Sequence, residues 1–483
     1  MPPAPPHNVP LEVGEHYRGL SLLADPVHAY VPYTVPLDLH GGALEVAEKD
    51  IIDTPWVQRL RYINQLQSAR WVYPGAEHSR FQHSLGAMHV AGRFARQLYP
   101  SLRAVEPSCP SLPYVEAVLR MGALLHDVGH GPFGHFFDDN HLAQFGIGHE
   151  ALGQQIILRE LSDYLRGLRR GPSGAFASGE TLEPQHVAFV MQKKDAGAAD
   201  APPWLRHLRP VLGGIYTADN LDYVLRDSYM CGVAIGPIDL ERLLHYSLVT
   251  ADGPALHRSG VSALTMFLNA RLYLYANVYF HRTVRAIDLH LRDVFPETLR
   301  HLFPHNPLDD LRRYVRLTDW SLLEAVRGWI DDPSPARRAL GRDWSHILNR
   351  KVKWKMAYDA TLPMHGLERR AARNLTPQHL AEQVRRALPP GNGSLEFQLD
   401  TAVQDPRNLN PLALGEWPIS IYDPATGEAH RELLEDILAP IPAEMVHYRL
   451  YTTDPAAVPI LARACETVLE PRRLSRTPQA AGT

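Results

Sequence analysis

Apolar positions recur at three- and four-residue intervals through most of this chain and alternate with polar ones only near its two ends. Alternation over residues 28–35 and at Leu37-Asp38-Leu39 predicts a short β-hairpin, preceded by a disordered proline-rich lead over residues 1–15. Thr54-Pro55 reads as an N-cap followed by proline at the first helical position, so a helix opens at Trp56. Further helices are predicted over 79–98, 113–126, 149–168, 217–230 and 261–301, the last one long or broken. Residues 171–203, rich in Gly, Ala, Ser, Pro and Asp, predict a mobile surface excursion between helical parts. The texture changes after about residue 370. A helix near 376–388, a Pro-Pro-Gly-Asn-Gly-Ser break, strands at 395–399, 419–422 and 446–452, and helices at 430–438 and after Pro455 suggest a small α+β module. The expected fold is therefore mainly α: a tail and hairpin over 1–48, an all-helical body over 49–370, and an α+β module over 371–483.

Composition narrows what such a fold can do. With 483 residues, 45% of them hydrophobic, the chain can bury a large core. A net charge of −4 excludes a globally basic nucleic-acid binder, while leaving local patches open. Cys109, Cys231 and Cys465 are too few and too scattered for a disulfide framework or a cysteine zinc site, which points to a reducing, cytoplasmic home. The N-terminus lacks the pattern of a signal peptide, and no uncharged apolar run reaches membrane-spanning length, so no membrane partner is expected. Arginine far outnumbers lysine, which supplies forked donors suited to phosphate oxygens.

The chemistry centres on His126-Asp127, at the end of the apolar run 118–125 and followed at once by Val-Gly-His-Gly-Pro-Phe-Gly-His. The dipeptide alone carries little, since 25 histidines in 483 residues make about one His-Asp pair expected by chance. Its setting carries more. His83 lies on a helical face with Gly86, Ala87 and Val90, which let a second helix approach closely; Asp219 shares a face with Tyr223, Arg226 and Asp227. Two imidazoles and two carboxylates, His83, His126, Asp127 and Asp219, suit a divalent Fe, Mn or Zn ion. Such an ion would lower the pKa of a bound water from about 15.7 toward 7.

His83 within Pro-Gly-Ala-Glu-His-Ser-Arg-Phe-Gln-His, His126-Asp127 and Asp219 resemble the H…HD…D signature of the HD-domain metallohydrolases. Residues 51–66, the HDVGHGPFGH block and residues 219–227 resemble the deoxynucleoside triphosphate triphosphohydrolases, and most of all the branch of the SAM-and-HD-domain enzyme and its bacterial relatives. The similarity runs from about residue 20 to 460 and includes Asp405-Pro-Arg-Asn-Leu; no SAM-like domain is expected ahead of the hairpin. The resemblance makes 49–370 an HD catalytic domain and implies attack at the α-phosphorus, releasing a deoxynucleoside and inorganic triphosphate. It implies an acid–base group of His130, His135, Asp138 and His149, in which His135 or His149 protonates the leaving oxygen and Asp138 orients a histidine. It implies substrate contacts at Gln65, Leu66, Arg80, Tyr223, Asp227, Arg271 and Tyr279, with a second ion, Mg, accompanying the triphosphate. Two positions depart from the family: Asn220 replaces a phosphate-facing lysine, and Gln67-Ser68 replaces glycines.

The same resemblance implies guanine-nucleotide activation and homo-oligomers, dimers or tetramers. Asp53 and Arg61 match a guanine-reading pair, and Lys353 is a loosely aligned phosphate contact; the alternative is that Asp53 caps the helix near Thr54 and Arg61 pairs with a carboxylate. Two rival functions stay open at this level. One is an HD phosphodiesterase or nuclease acting on single-stranded or cyclic nucleotides. The other is a non-catalytic nucleotide sensor or nucleic-acid scaffold, with Arg271, Arg282, Arg285 and Arg292 as a basic stripe.

Overall fold

Local capping sets where the helical body begins. In the computed structural model, which describes residues 19–37, 45–192, 201–364, 376–404, 419–430, 441–442 and 444–474, Thr54 caps the short helix Pro55–Gln58 by accepting from the Val57 amide. Ser79 and Gln82 form a capping box that starts α1 (Arg80–Val105), a helix of 26 residues. Helix α2 (Leu112–Leu125) runs through the centre, with every side chain from Tyr114 to Leu125 buried. Its charges are matched inside: Arg120 makes a bidentate pair with Glu48 at 2.6 and 2.9 Å. Short α3 (His135–Asn140), α4 (His149–Glu160) and α5 (Ala218–Cys231) complete the framework of the site, and α1 packs against both α2 and α5.

Two sheets lie toward the C-terminal end of the chain. Strands β1 (Leu20–Asp25) and β2 (Ala29–Thr34) first form the N-terminal hairpin, with Leu20 opposite Thr34 and Asp25 opposite Ala29. Strands β3 (Ser247–Thr250) and β4 (Gly253–His257) form a hairpin before α6 (Val261–Leu274) and α7 (Arg282–Leu302). Helix α8 (Asp319–Gly328) and α9 (Pro335–Leu348) follow, then β5 (Lys355–Met364), α10 (Pro377–Ala387), β6 (Gln398–Gln404), β7 (Ser420–Asp423), β8 (Glu428–His430), β9 (Glu444–Thr452) and α11 (Val458–Leu474). One sheet has the order β5-β9-β6, antiparallel throughout, and α10 and α11 pack with it around Leu380, Val384, Leu450 and Leu461. The other has the order β8-β7-β4-β3, in which β7 runs parallel to β4. Ile419 and Ile421 thereby enter the main helical core.

Several expectations need correcting. The hairpin pairs 20–25 with 29–34 around a turn at Pro26–His28, so residue 28 sits in the turn; part of Leu37-Asp38-Leu39 and the lead 1–15 lie outside the described residues. The helix expected as long or broken over 261–301 is indeed broken, by a π-helical turn at Tyr275–Tyr279, whereas the one expected over 149–168 is interrupted at Leu161. The excursion 171–203 contains the helix Pro184–Val190, whose Val187 and Val190 face the core. A boundary at residue 370 cuts across the sheet, because β5 pairs with β9, while β7 returns to the helical body. The strand expected at 395–399 occupies 398–404, and the helix expected at 430–438 lies almost wholly outside the described residues, as does Asp405-Pro-Arg-Asn-Leu. No helix among the described residues is long and apolar enough to cross a membrane, and all three cysteines are free.

Candidate functional site

Three helix ends converge on one point. His83 lies in the first turn of α1, His126 closes α2, and Asp219 lies in the first turn of α5. Their ligand atoms fall within 4.8 Å of one another, a grouping that can hold a metal ion. His83 Nε2 is 3.3 Å from His126 Nε2 and 3.1 Å from Asp219 Oδ1. Asp127 joins from the side, with Oδ1 3.2 Å from His126 Nε2, while its Oδ2 accepts from Arg80 Nη1 at 2.7 Å. The tautomers follow from the partners. His126 Nδ1 donates to the Ala123 carbonyl at 2.7 Å, and His83 Nδ1 donates to Asp222 Oδ2 at 2.8 Å. Both Nε2 lone pairs are therefore turned toward each other, which is repulsive unless a cation lies between them. The donor set fits such a cation. Burial lowers the His83 imidazole, but Asp219 and Asp222 outweigh this and push it up to about 10, so the two carboxylates make this point favourable to positive charge. Burial alone would raise Asp219, but His126 and His83 hold it far below the usual carboxylate range.

A second cluster adjoins the first. Asp138 Oδ2 accepts from His149 Nδ1 at 2.5 Å and lies 3.3 Å from His135 Nδ1 and 3.7 Å from His130 Nδ1. The rings of His130 and His149 stack at 3.7 Å, and His135 stands edge-on to His130 at 4.7 Å. His130 Nε2 is 3.4 Å from Asp127 Oδ1, so the two clusters are contiguous. His130 and His149 are buried or nearly so, whereas the His135 side chain is 66% exposed. Glycine makes this packing possible: a Cβ on Gly129 would stand 1.9 Å from the His149 carbonyl oxygen. Gly134 has φ +55°, and a Cβ there would meet Arg80 Nη2 at 2.2 Å.

The expected substrate residues line an adjoining wall. Tyr223 sits edge-on to His83, with ring centres 6.5 Å apart, and its hydroxyl accepts from Arg271 Nε at 3.1 Å. Asp227 accepts from His78 Nε2 at 2.8 Å and from the Tyr279 hydroxyl. The Gln65 amide donates to the His78 carbonyl at 3.0 Å, and Leu66 is buried behind it. Gln65 Oε1, Arg80 Nε and Arg271 Nη1 are buried without a hydrogen-bond partner. Asn220, the departure from the family lysine, is a capping residue here: it accepts from the Thr217 amide at 2.6 Å, and its own amide donates to Thr217 Oγ1 at 3.0 Å. Ser68 donates to Asp288, and Gln67 has φ +20°.

The expected effector residues engage different partners. Asp53 pairs with Lys49 at 2.5 Å, Arg61 donates to Gln58 Oε1 at 2.8 Å and lies 3.7 Å over the Phe81 ring, and Lys353 pairs with Asp293 at 2.9 Å. The alternative assigned to Asp53 and Arg61 is corrected, since Thr54 does the capping and the Arg61 acceptor is an amide. Asp222, Arg59 and Asp319, absent from the sequence reading, support the site from behind, together with Arg226, which that reading placed only on the Asp219 face. Asp222 orients His83, and Arg226 grips Asp222 through two hydrogen bonds of 2.9 Å. Arg59, buried, donates to the carbonyls of Val128, His130, Val315 and Leu317. Asp319 accepts from the amides of Asn64 and Phe133 at 3.0 and 2.8 Å, clasping both site loops. The Asp222–Arg226 spacing of four on a helix was the available signal for the first pair; nothing local marks the other two.

Residues 80–170 match the HD domain family model. The uncharacterised protein YwfO of Bacillus subtilis is 29% identical over 327 residues, covering 64% of this chain and 66% of its own length. The deoxynucleoside triphosphate triphosphohydrolase SAMHD1 of Bos taurus is 26% identical over 420 residues, covering 80% of this chain and 65% of its own. The SAMHD1 homolog of Dictyostelium discoideum is 28% identical, with 60% of this chain and 54% of its own length matched. The chain thus spans about half to two thirds of the length of the curated relatives it matches. Among solved structures, a hypothetical protein from Aquifex aeolicus superposes with a TM-score of 0.65 at 23% identity, covering 92% of this chain and 99% of that one. A phosphohydrolase from Bacteroides thetaiotaomicron gives 0.62 at 22% identity, covering 90% and 99%. These two likenesses show the fold, and the family model places an HD domain at residues 80–170, so the chain is an HD-domain protein of this fold. Beyond the HD domain itself, the chain is similar over 60–80% of its length to SAMHD1 triphosphohydrolases and their homologues, at 25–28% identity.

Proposed function

We propose that this protein is a metal-dependent hydrolase of deoxynucleoside triphosphates that releases a deoxynucleoside and inorganic triphosphate. The observation that carries this reading is the set of buried, unpartnered polar atoms beside the His/Asp group, Gln65 Oε1, Arg80 Nε and Arg271 Nη1. Buried donors and acceptors without partners cost about 1–3 kcal/mol each unless a ligand satisfies them. Two guanidiniums and an amide suit phosphate oxygens and a sugar hydroxyl. His83, His126, Asp127 and Asp219 would hold the metal, which when bound supplies an acidified water for attack on the α-phosphorus.

The protein's own groups account for the rest. Arg80 and Arg271 balance phosphate charge as the bond to the 5′-oxygen breaks. His135 and His149 both turn Nδ1 to Asp138, so each presents Nε2 as its exchanging atom. His149 is stacked on His130, its Nε2 is 3.9 Å from Glu150 Oε1, and its side chain is 12% exposed; the exposed His135 is the one a substrate can reach. In this reading His135 gives its Nε2 proton to the departing 5′-oxygen, while His149 fixes Asp138. Tyr223 lies below the sugar, and Asp227, each oxygen accepting one bond already, keeps lone pairs for a 3′-hydroxyl.

Product identification tests this. Metal-replete protein is incubated with each dNTP, each NTP, cyclic nucleotides and short single strands, with and without GTP. Triphosphate plus deoxynucleoside is expected; pyrophosphate, cyclic-nucleotide opening or shortened strands would replace this reading with that of a phosphodiesterase or nuclease. A GTP-dependent rise in rate and in sedimentation coefficient is the expected sign of an effector site at Asp53, Arg61 and Lys353, and no change in either would remove it.

A further inference from the structure

The turn of the N-terminal hairpin reaches into the metal group. His28, at the end of that turn, directs Nε2 to Asp222 Oδ1 at 2.7 Å. The other oxygen of Asp222 accepts from His83 Nδ1 at 2.8 Å, and Arg226 Nε and Nη2 each add a bond of 2.9 Å. The carboxylate is therefore saturated by four donors drawn from three separate elements, β-turn, α1 and α5. Arg226 is held in turn by Asp25 Oδ2 at 2.9 Å, and Asp25 Oδ1 accepts from the amides of Val27 and His28 at 2.9 and 2.8 Å. The hairpin thus grips the Asp222–Arg226 pair at two points. The side chains of His28, Asp222 and Arg226 are 3%, 0% and 1% exposed. Room for Asp222 exists because residue 86 is glycine; a Cβ there would lie 1.8 Å from Asp222 Oδ1.

We propose that His28 is a positioning residue of the metal centre: by holding Asp222 it fixes the ring and tautomer of His83, which makes the N-terminal hairpin part of the metal-binding apparatus. The inference rests on His83 being a ligand. Its physical basis is competition for one carboxylate. With His28 in place, each oxygen of Asp222 takes one bond from a histidine, His28 on Oδ1 and His83 on Oδ2, and one from Arg226. Without it, the short anionic side chain is free to settle into its buried guanidinium partner, and His83 loses the fixed acceptor that keeps Nε2 aimed at the ion. Partners behind a metal ligand matter in this way because they set its orientation and basicity.

The test is a Co(II) titration of the full chain, followed by visible d–d absorption, for the wild-type protein, His28→Ala, His28→Gln and the control Tyr30→Ala. Tyr30 is on the same hairpin and 60% exposed. The expected result for His28→Ala is binding weakened by about tenfold, with a shifted absorption band. His28→Gln keeps a donor that reaches Asp222 and should recover most of the affinity and the wild-type band; Tyr30→Ala should match the wild type. If His28→Ala does not fold, His28→Asn, too short to reach Asp222, takes its place against His28→Gln. Equal affinity and identical spectra for wild type and His28→Ala, or no recovery in His28→Gln, would overturn the inference while leaving the ligand set standing. Failure of the wild-type chain to bind Co(II) is a separate outcome that overturns both.

Discussion

Arg59 satisfies four backbone carbonyls from within the core, two on the loop that carries Asp127 and His130 and two on the segment before α8. Its guanidinium is a planar fork that a lysine cannot imitate, so Arg59→Lys leaves carbonyls unpaired at about 1–3 kcal/mol each. We expect urea denaturation to show a loss of about 3 kcal/mol, with a metal affinity that falls in parallel because the loop loosens. His135 gives a second expectation at this scale. His135→Ala should slow release of a deoxynucleoside by at least about 100-fold while metal content stays unchanged, and a nitrophenyl ester, whose leaving group needs no proton, should lose far less. Asp288 supplies a pH dependence. Burial, opposed by Arg285 and Ser68, pushes its carboxyl up to about 6. The folded value lies above the unfolded one, near 3.9, so the native chain holds the extra proton between them and stability falls as pH rises from about 4 to about 6. Asp288→Asn should therefore gain on the wild type across that window, reaching about 2–3 kcal/mol above it, and the two proteins should converge below about pH 4 in denaturant melts.

At the scale of elements, the site depends on helices that approach where a side chain is missing. Gly129→Ala would drive a methyl into the His149 carbonyl, pushing the start of α4 from the HD loop. A cost of about 1–3 kcal/mol in melts and a larger proportional loss of activity are expected, because His149 sits at that helix start. Much of this architecture was legible in the residues. The helices over 80–105, 112–125 and 218–231 follow from apolar spacing and caps, and the residues picked as one constellation, His83, His126, Asp127 and Asp219, do lie together. Strand β5 was missed although Met356, Tyr358, Ala360 and Leu362 alternate in it, a period-two signal inside the span assigned to the all-helical body. Asn220 looked like a lost phosphate contact, yet Thr217-Ala-Asp-Asn220 is a capping pattern whose geometry turns the amide back on its own helix. His28 was unreadable as a partner of the site because its acceptor lies 194 residues away, and no local pattern encodes that contact.

At the scale of the whole molecule, the C-terminal sheet is docked on α7 by few but well-made bonds. Arg285 grips Asp400 of β6 at 2.9 and 2.6 Å, Arg449 donates to the Phe280 carbonyl at 2.6 Å, and Tyr451 donates to the Arg282 carbonyl at 2.8 Å. Breaking a buried pair by removing one partner typically costs about 3–5 kcal/mol. Arg285→Ala should approach that figure in urea melts and hasten proteolysis of the sheet, and Asp400→Ala combined with it should add much less than its own effect. Asp288, between Arg285 and Ser68, extends this contact to the loop that carries Gln65. The Asp319 clasp has a consequence for how the protein is born. It joins Asn64 and Phe133 to a residue 255 and 186 positions later in the chain. At about 5–20 residues per second, roughly 13–50 s of translation separate the synthesis of Asn64 from that of Asp319. From the synthesis of Asp127 until that of Asp319 a ribosome-bound chain carries its His-Asp motif with the two loops unfastened, so the candidate site can close only late in synthesis, well after His83, His126 and Asp127 have been made.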